Sequence, residues 1–169
     1  IAAGPMAAVV QQLATIPDDD VRAMAHYLAS FNVQASASQA AATAAAAIGR
    51  ARAQAALLTG PSQRLFESAC GACHHDGDGP VQLGRNVPLA LGSNLHSDRP
   101  DNLARVILDG IREPASREIG FMQGFADSLD DRQIAGLVGY MRQRFAPDKP
   151  AWTDLEALVA RIRATPGHR

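Results

Sequence analysis

Apolar residues recur at helical spacing in short stretches that glycines, prolines and acidic residues punctuate. Ser62 to Cys70 reads as a short helix with Leu65, Phe66 and Ala69 on one side and cysteines at its end. Asp101–Asp109 carries Leu103, Val106 and Ile107 on one face and stops at Gly110. Ser128-Leu129-Asp130-Asp131 predicts a capping box, and Ile134, Leu137, Val138, Met141 and Phe145 follow at the period of a helix. Thr153-Asp154-Leu155-Glu156 predicts a second box, with Leu155, Leu158, Val159 and Ile162 behind it on one face. The pattern is that of an all-α fold.

Residues 34–60 break the rhythm because they are dominated by alanine. Alanine is the best helix former but buries little area, so Gln39–Leu58 is expected as a semi-rigid helical spacer ending at the Gly60-Pro61 break. Residues 75–100 are rich in glycine and proline, a loop too long for a compact module unless it wraps something. Val81, Leu83, Val87, Leu89 and Leu91 are the side chains it would pack inward.

Residues 1–33 echo a later segment. Ile16-Pro17-Asp18-Asp19-Asp20-Val21 aligns with Leu129-Asp130-Asp131-Arg132-Gln133-Ile134, and without gaps Met24 falls on Leu137, Tyr27 on Tyr140 and Leu28 on Met141. A methionine loop precedes each segment, Gly4-Pro5-Met6 and Gly120-Phe121-Met122-Gln123-Gly124. Residues 1–33 therefore read as the back half of an upstream module. The alternative is two amphipathic helices alike by chance. Met6 is not counted as a site residue.

Composition narrows the class. Of 169 residues, 47% are hydrophobic, a figure inflated by alanine, and 5% are aromatic, which is thin material for a protein-only core. A net charge of −1 leaves no electrostatic footprint for nucleic acid. No apolar run approaches the roughly 18 residues of a membrane span. The first residue is Ile1 and no signal peptide is evident, so the chain is expected to begin inside a longer or processed polypeptide.

The candidate chemistry sits at Cys70-Gly71-Ala72-Cys73-His74. C-x-x-C-H is the spacing of covalent c-type haem attachment. Two cysteines three apart share one face of a helical turn, and the adjacent histidine can offer a neutral imidazole nitrogen to iron. Three rivals stand beside this reading. A Cys70–Cys73 disulfide would close too small a loop to stabilise much. A thioredoxin-like pair needs a βαβ surrounding, and no strand pattern flanks the site. Zinc held by Cys70, Cys73, His74 or His75, and His96 remains open on ligand type.

A second iron ligand must come from the opposite side of the ring. Met24 and Met141 lie on helix faces, where core packing explains them. Met122 lies in a glycine-flanked loop just before a helix and is the candidate, since Met/His ligation raises a haem's potential. His96 is a distal rival, and His26, His75 and His168 are read as ordinary residues. Arg85, Arg99, Arg105, Arg112 and Arg117 are equal candidates for pairing with haem propionates.

Residues 62–148 resemble a class I cytochrome c domain, on Phe66, Cys70-Gly71-Ala72-Cys73-His74, Pro88, Met122 and Tyr140. The resemblance implies that the terminal helices cross, with Phe66 meeting Leu137 and Tyr140. It also implies that the Pro88 carbonyl accepts the other ring N–H of His74, a bond that would fix the tautomer. Two positions depart from the pattern: Ser62 stands where glycine is common, and Gln123 where proline often follows the methionine.

Val87-Pro88-Leu89-Ala90-Leu91, Pro100–Ile111 and the tail from Pro150 to Arg163 resemble the last haem domain of multi-haem cytochromes c serving periplasmic dehydrogenases. Those are cytochrome subunits or domains of molybdenum hydroxylases, such as nicotinate and isoquinoline dehydrogenases, and of membrane-bound alcohol or aldehyde dehydrogenases. The resemblance implies four parts: residues 1–33 as the C-terminal half of an upstream cytochrome c-like domain without its haem motif, 34–61 as a linker, 62–148 with one covalent haem c, and 149–169 as a helical extension. It implies an electron-transfer module with no substrate chemistry of its own. Electrons would come from a dehydrogenase catalytic subunit (a molybdenum/iron–sulfur protein) and leave to a downstream acceptor. The implied location is periplasmic, held at the inner membrane by partners. The alternative is a haem enzyme or gas-binding protein, peroxidase-like, with a labile sixth ligand.

Overall fold

The structure is a computed structural model that describes Val9 and residues 12–31, 36–75, 88–112 and 121–165. Val81, Leu83, Val87, Met6, Arg85, Arg117 and His168 lie outside the described residues. The elements are α1 (Asp18–Ala29), α2 (Ala37–Ala55), α3 (Pro61–Ala69), a 3-10 turn (Leu89–Leu91), α4 (Ser93–His96), α5 (Asp101–Asp109), α6 (Asp131–Phe145) and α7 (Leu155–Ala164). Among the described residues the sole β-type pairing is an isolated antiparallel bridge between Ile111 and Met122. The fold is all-α.

Helix α6 is the axis of the core and packs against α2, α3, α4, α5 and α7. Its buried face includes Ile134, Leu137, Val138, Met141 and Phe145, the apolar set that the helical period picks out, and Tyr140 beside them. Its cap differs from expectation. Ser128 and Leu129 both give their N–H groups to Phe125 O, at 3.2 and 3.0 Å, which commits them to a separate turn. The box forms two residues later: Asp130 accepts from Gln133 N–H at 2.7 Å, and Gln133 Oε1 accepts from Asp130 N–H at 2.9 Å. The box expected at Thr153 does not form either, because α7 starts from Asp154 in a left-handed conformation with no side-chain cap.

Helices α3 and α6 cross closely, and the small residue that permits this is on the other helix from the one expected. A Cβ added at Gly136 of α6 would lie 2.6 Å from the Ser62 Oγ of α3. The Phe66 and Tyr140 rings meet at 5.4 Å between centroids, and Phe145 also meets Phe66 at 5.7 Å.

The alanine-rich stretch is more than a spacer. Ser36 and Gln39 close a reciprocal capping box, and α2 packs on α6 and on the 3-10 turn with Ala51 1% exposed. Small side chains bury little area each but let the backbone come close. Gly60 and Pro61 mark the turn into α3, with Pro61 at the first helical position, where its missing N–H costs nothing.

Arg142 and Arg163 tie the tail to the module. Arg142 is buried and donates to the carbonyls of Leu95, Ser97 and Pro150, with its guanidinium 4.2 Å from the centre of the Trp152 ring. Arg163 of α7 donates to Asp131 Oδ1 at 2.7 Å and to the carbonyls of Ala126 and Leu129.

Helix α1 has no buried residue. Tyr27 is 66% exposed, Leu28 64% and Met24 41%, so the core packing expected for Met24 is not found among the described residues.

Candidate functional site

Helix α3 delivers the cysteines at its C-terminal end. Cys70 caps the helix with its N–H on Phe66 O at 2.9 Å, and Cys70 O then accepts from Cys73 N–H at 3.1 Å and His74 N–H at 2.8 Å. One hydrogen-bonded turn therefore carries both sulfurs and the imidazole. Both thiols are unbridged and half-buried, so no disulfide joins them. The Cys70 thiol is pushed up to about 11, first by burial and second by Cys73 beside it. The His74 pKa is lowered, by burial first and by the charge of His75 second, which favours the neutral imidazole that binds metals.

His74 Nδ1 is buried and makes no hydrogen bond. A neutral imidazole has one donor and one acceptor nitrogen, and such an atom ordinarily has a partner. The bond expected from His74 to Pro88 is not made in this structure. Pro88 opens the 3-10 turn, and its carbonyl accepts from Leu91 N–H at 3.1 Å, which leaves a second lone pair.

Met122 comes to the same core from a loop well downstream of His74. Cys70, Leu65, Ala69, Leu89 and Met122 all pack, partly buried, against one apolar cluster that includes Phe66 and Tyr140. Gln123 follows Met122 without disturbing its main-chain pairing to Ile111. His96, the rival ligand, sets its Nε2 2.9 Å from Ala90 O; a carbonyl only accepts, so Nε2 carries the proton there. Among the described residues, no three His, Cys, Asp or Glu side chains converge as a metal site, which leaves the zinc reading without a ligand set. These residues fit a haem: two adjacent thiols, a neutral imidazole with an unused ring nitrogen, and a thioether bordering one apolar core.

Two of the candidate arginines are engaged elsewhere, Arg99 with Asp101 at 3.1 Å and Arg105 with Asp109 at 3.5 Å. Sequence reasoning passed over Arg144, which is buried with its guanidinium 5.1 Å from the Phe66 ring centre and 4.9 Å from that of Phe145, and donates to the Tyr140 hydroxyl at 3.3 Å. The one sequence signal is its spacing, four residues after Tyr140 on the buried face.

Residues 59–141 match the family described as cytochrome C oxidase, cbb3-type, subunit III, and this stretch is a cytochrome c domain, a haem-binding module. The chain is 50% identical over 169 residues to a subunit of the nicotinate dehydrogenase of Pseudomonas putida, covering 99% of this chain and 14% of that protein. It is 33% identical over 106 residues to dihydro-heme d1 dehydrogenase of Pseudomonas aeruginosa, covering 63% of this chain and 19% of that protein. It is 29% identical over 163 residues to the fructose dehydrogenase cytochrome subunit of Gluconobacter japonicus, covering 85% and 33%. The chain thus spans a third or less of each of these relatives.

Proposed function

We propose that the domain carries one haem c, attached through Cys70 and Cys73 and held axially by His74 and Met122, and that it relays electrons from a dehydrogenase to a downstream acceptor. A haem so held supplies a one-electron iron couple, and a thioether opposite an imidazole raises its potential. The observation that carries the reading is the single turn at the end of α3 that holds both thiols beside an imidazole whose Nδ1 is buried and without a partner. The chain's own work is to bind and orient. The turn sets the attachment points, the Phe66–Tyr140–Phe145 cluster excludes water, and the Ile111 bridge holds Met122. With a haem bound, His74 Nδ1–H would donate a hydrogen bond to the spare lone pair of the Pro88 carbonyl.

The names of the relatives support a dehydrogenase as the electron source. We take its catalytic subunit to be of the molybdenum/iron–sulfur kind that the sequence resemblance implies. No described helix is long and apolar enough to cross a membrane, and we assign the domain to the periplasm, held at the inner membrane by its partners. Residues 1–33 are the C-terminal half of an upstream cytochrome c-like domain. Two features support this: the ungapped echo of 129–141, and the exposure of Tyr27 and Leu28 where their counterparts Tyr140 and Met141 are buried.

The intact mass under denaturing conditions tests the attachment. The expected mass is that of the chain plus one haem, and Cys70→Ala with Cys73→Ala returns it to the bare chain. A bare-chain mass for the unsubstituted protein from a cell competent in cytochrome c assembly contradicts the proposal.

A further inference from the structure

The methionine loop sits closer to α5 than a simple turn requires. Ile111 and Met122 exchange both main-chain bonds, Ile111 N–H to Met122 O at 2.7 Å and Met122 N–H to Ile111 O at 3.1 Å. Phe125 N–H then reaches Ile107 O at 3.0 Å, and Ala126 N–H reaches Leu108 O at 3.1 Å. The last four carbonyls of a helix have no partner within it, so the loop backbone acts as the C-terminal cap of α5.

This fit depends on two glycines meeting backbone to backbone. A Cβ at Gly110 would overlap Met122 O and lie 2.5 Å from Gly124 N. A Cβ at Gly124 would lie 2.6 Å from Leu108 O and 2.8 Å from Asp109 O. The opposing atoms are main chain, so no side-chain rotation relieves the overlap. Gly110 also has φ 73 and ψ −166, a region essentially restricted to glycine.

We propose that Gly110 and Gly124 are positioning residues that fix, through this crossing, where the Met122 sulfur stands. The inference rests on Met122 being the second axial ligand. A side chain at either glycine pushes residues 122–124 off the end of α5, and the sulfur moves with the backbone that carries it. Haem attachment is untouched, because Cys70, Cys73 and His74 belong to a different turn. A role in stability alone would lower the melting temperature and leave ligation as it is.

The test uses the haem-loaded full chain with Gly124→Ala, Gly110→Ala and, as a core change outside the loop, Val159→Ala. Readouts are the pyridine haemochrome, the sulfur-to-iron(III) band at the red end of the oxidised spectrum, the reduction potential and the rate of cyanide binding. Both glycine variants are expected to keep one attached haem, lose most of the red band, drop in potential and bind cyanide faster. Val159→Ala is expected to melt lower with band and potential unchanged. The inference is overturned if Gly124→Ala keeps the native band and potential, or if Val159→Ala loses the band equally. An unsubstituted protein without the band overturns the ligand assignment itself, which separates that failure from a failure of the glycine crossing. Should the glycine variants not accumulate, hydrogen exchange on the unsubstituted protein decides: the amides of Met122, Phe125 and Ala126 should exchange as slowly as those of α5, and rapid exchange there sinks the inference.

Discussion

The Ser62 hydroxyl of α3 stands 2.6 Å from the point that a Cβ on Gly136 of α6 would occupy. The two helices meet through a polar side chain on one and a missing side chain on the other. Gly136→Ala is expected to cost about 1 kcal/mol, the low end of overpacking, because a serine hydroxyl can rotate away. Adding Ser62→Ala removes the clashing atom, so the double variant should regain most of that loss. Urea unfolding of the four proteins of the cycle measures the coupling.

Arg142 has three carbonyl partners and a ring to lie on. Arg142→Met leaves the carbonyls of Leu95, Ser97 and Pro150 without that donor, and the expected loss is about 3 kcal/mol on the scale of hydrogen bonds to charged groups. Arg142→Lys should recover only part, since an ammonium cannot fork to several carbonyls and stack at once. The midpoint of chemical unfolding reads both.

Asp101 begins α5 and holds its carboxyl below the usual range, chiefly through the Arg99 hydrogen bond and further through the charges of Arg99 and Arg161. A depressed folded-state pKa means stability that is present above the ordinary carboxylate pKa and is lost as pH falls through the folded value. The pair is exposed and screened by solvent, so the contribution is small. Asp101→Asn should lower stability slightly at neutral pH, and the difference from the unsubstituted protein should shrink away as pH falls below about 4. A variant whose deficit is as large in acid as at neutral pH contradicts this.

Cys73→Ser leaves a single link through Cys70 at the helix cap, so one haem remains attached and the pyridine haemochrome maximum shifts as one vinyl group is freed. His74→Gly leaves both sulfurs but removes the imidazole, and added free imidazole should restore the low-spin spectrum. Absorption spectroscopy checks both.

Much of this was legible in the sequence because the signals were local. C-x-x-C-H, the apolar stripe from Ile134 to Phe145 and the stop at Gly110 each lie within one element. The Phe66–Tyr140 contact followed from resemblance and is present at 5.4 Å. What escaped depends on which groups meet across distance. Nothing near Ser62 in sequence points to Gly136, and nothing in Gly124 points to the end of α5. The caps slipped because Phe125 O claims the N–H groups of Ser128 and Leu129, and the choice between that turn and a longer helix is tertiary. The packing of α2 was hidden for a similar reason, since an alanine surface carries no amphipathic stripe to announce a partner.

The account turns on Met122 facing His74 across an iron porphyrin, and the visible spectrum of the oxidised protein tests it most directly. A low-spin haem with a sulfur-to-iron(III) band at the red end, lost in Met122→Ala and slow to yield to cyanide, is the predicted result. A colourless protein, or a haem protein without that band that binds cyanide or CO at once, contradicts it.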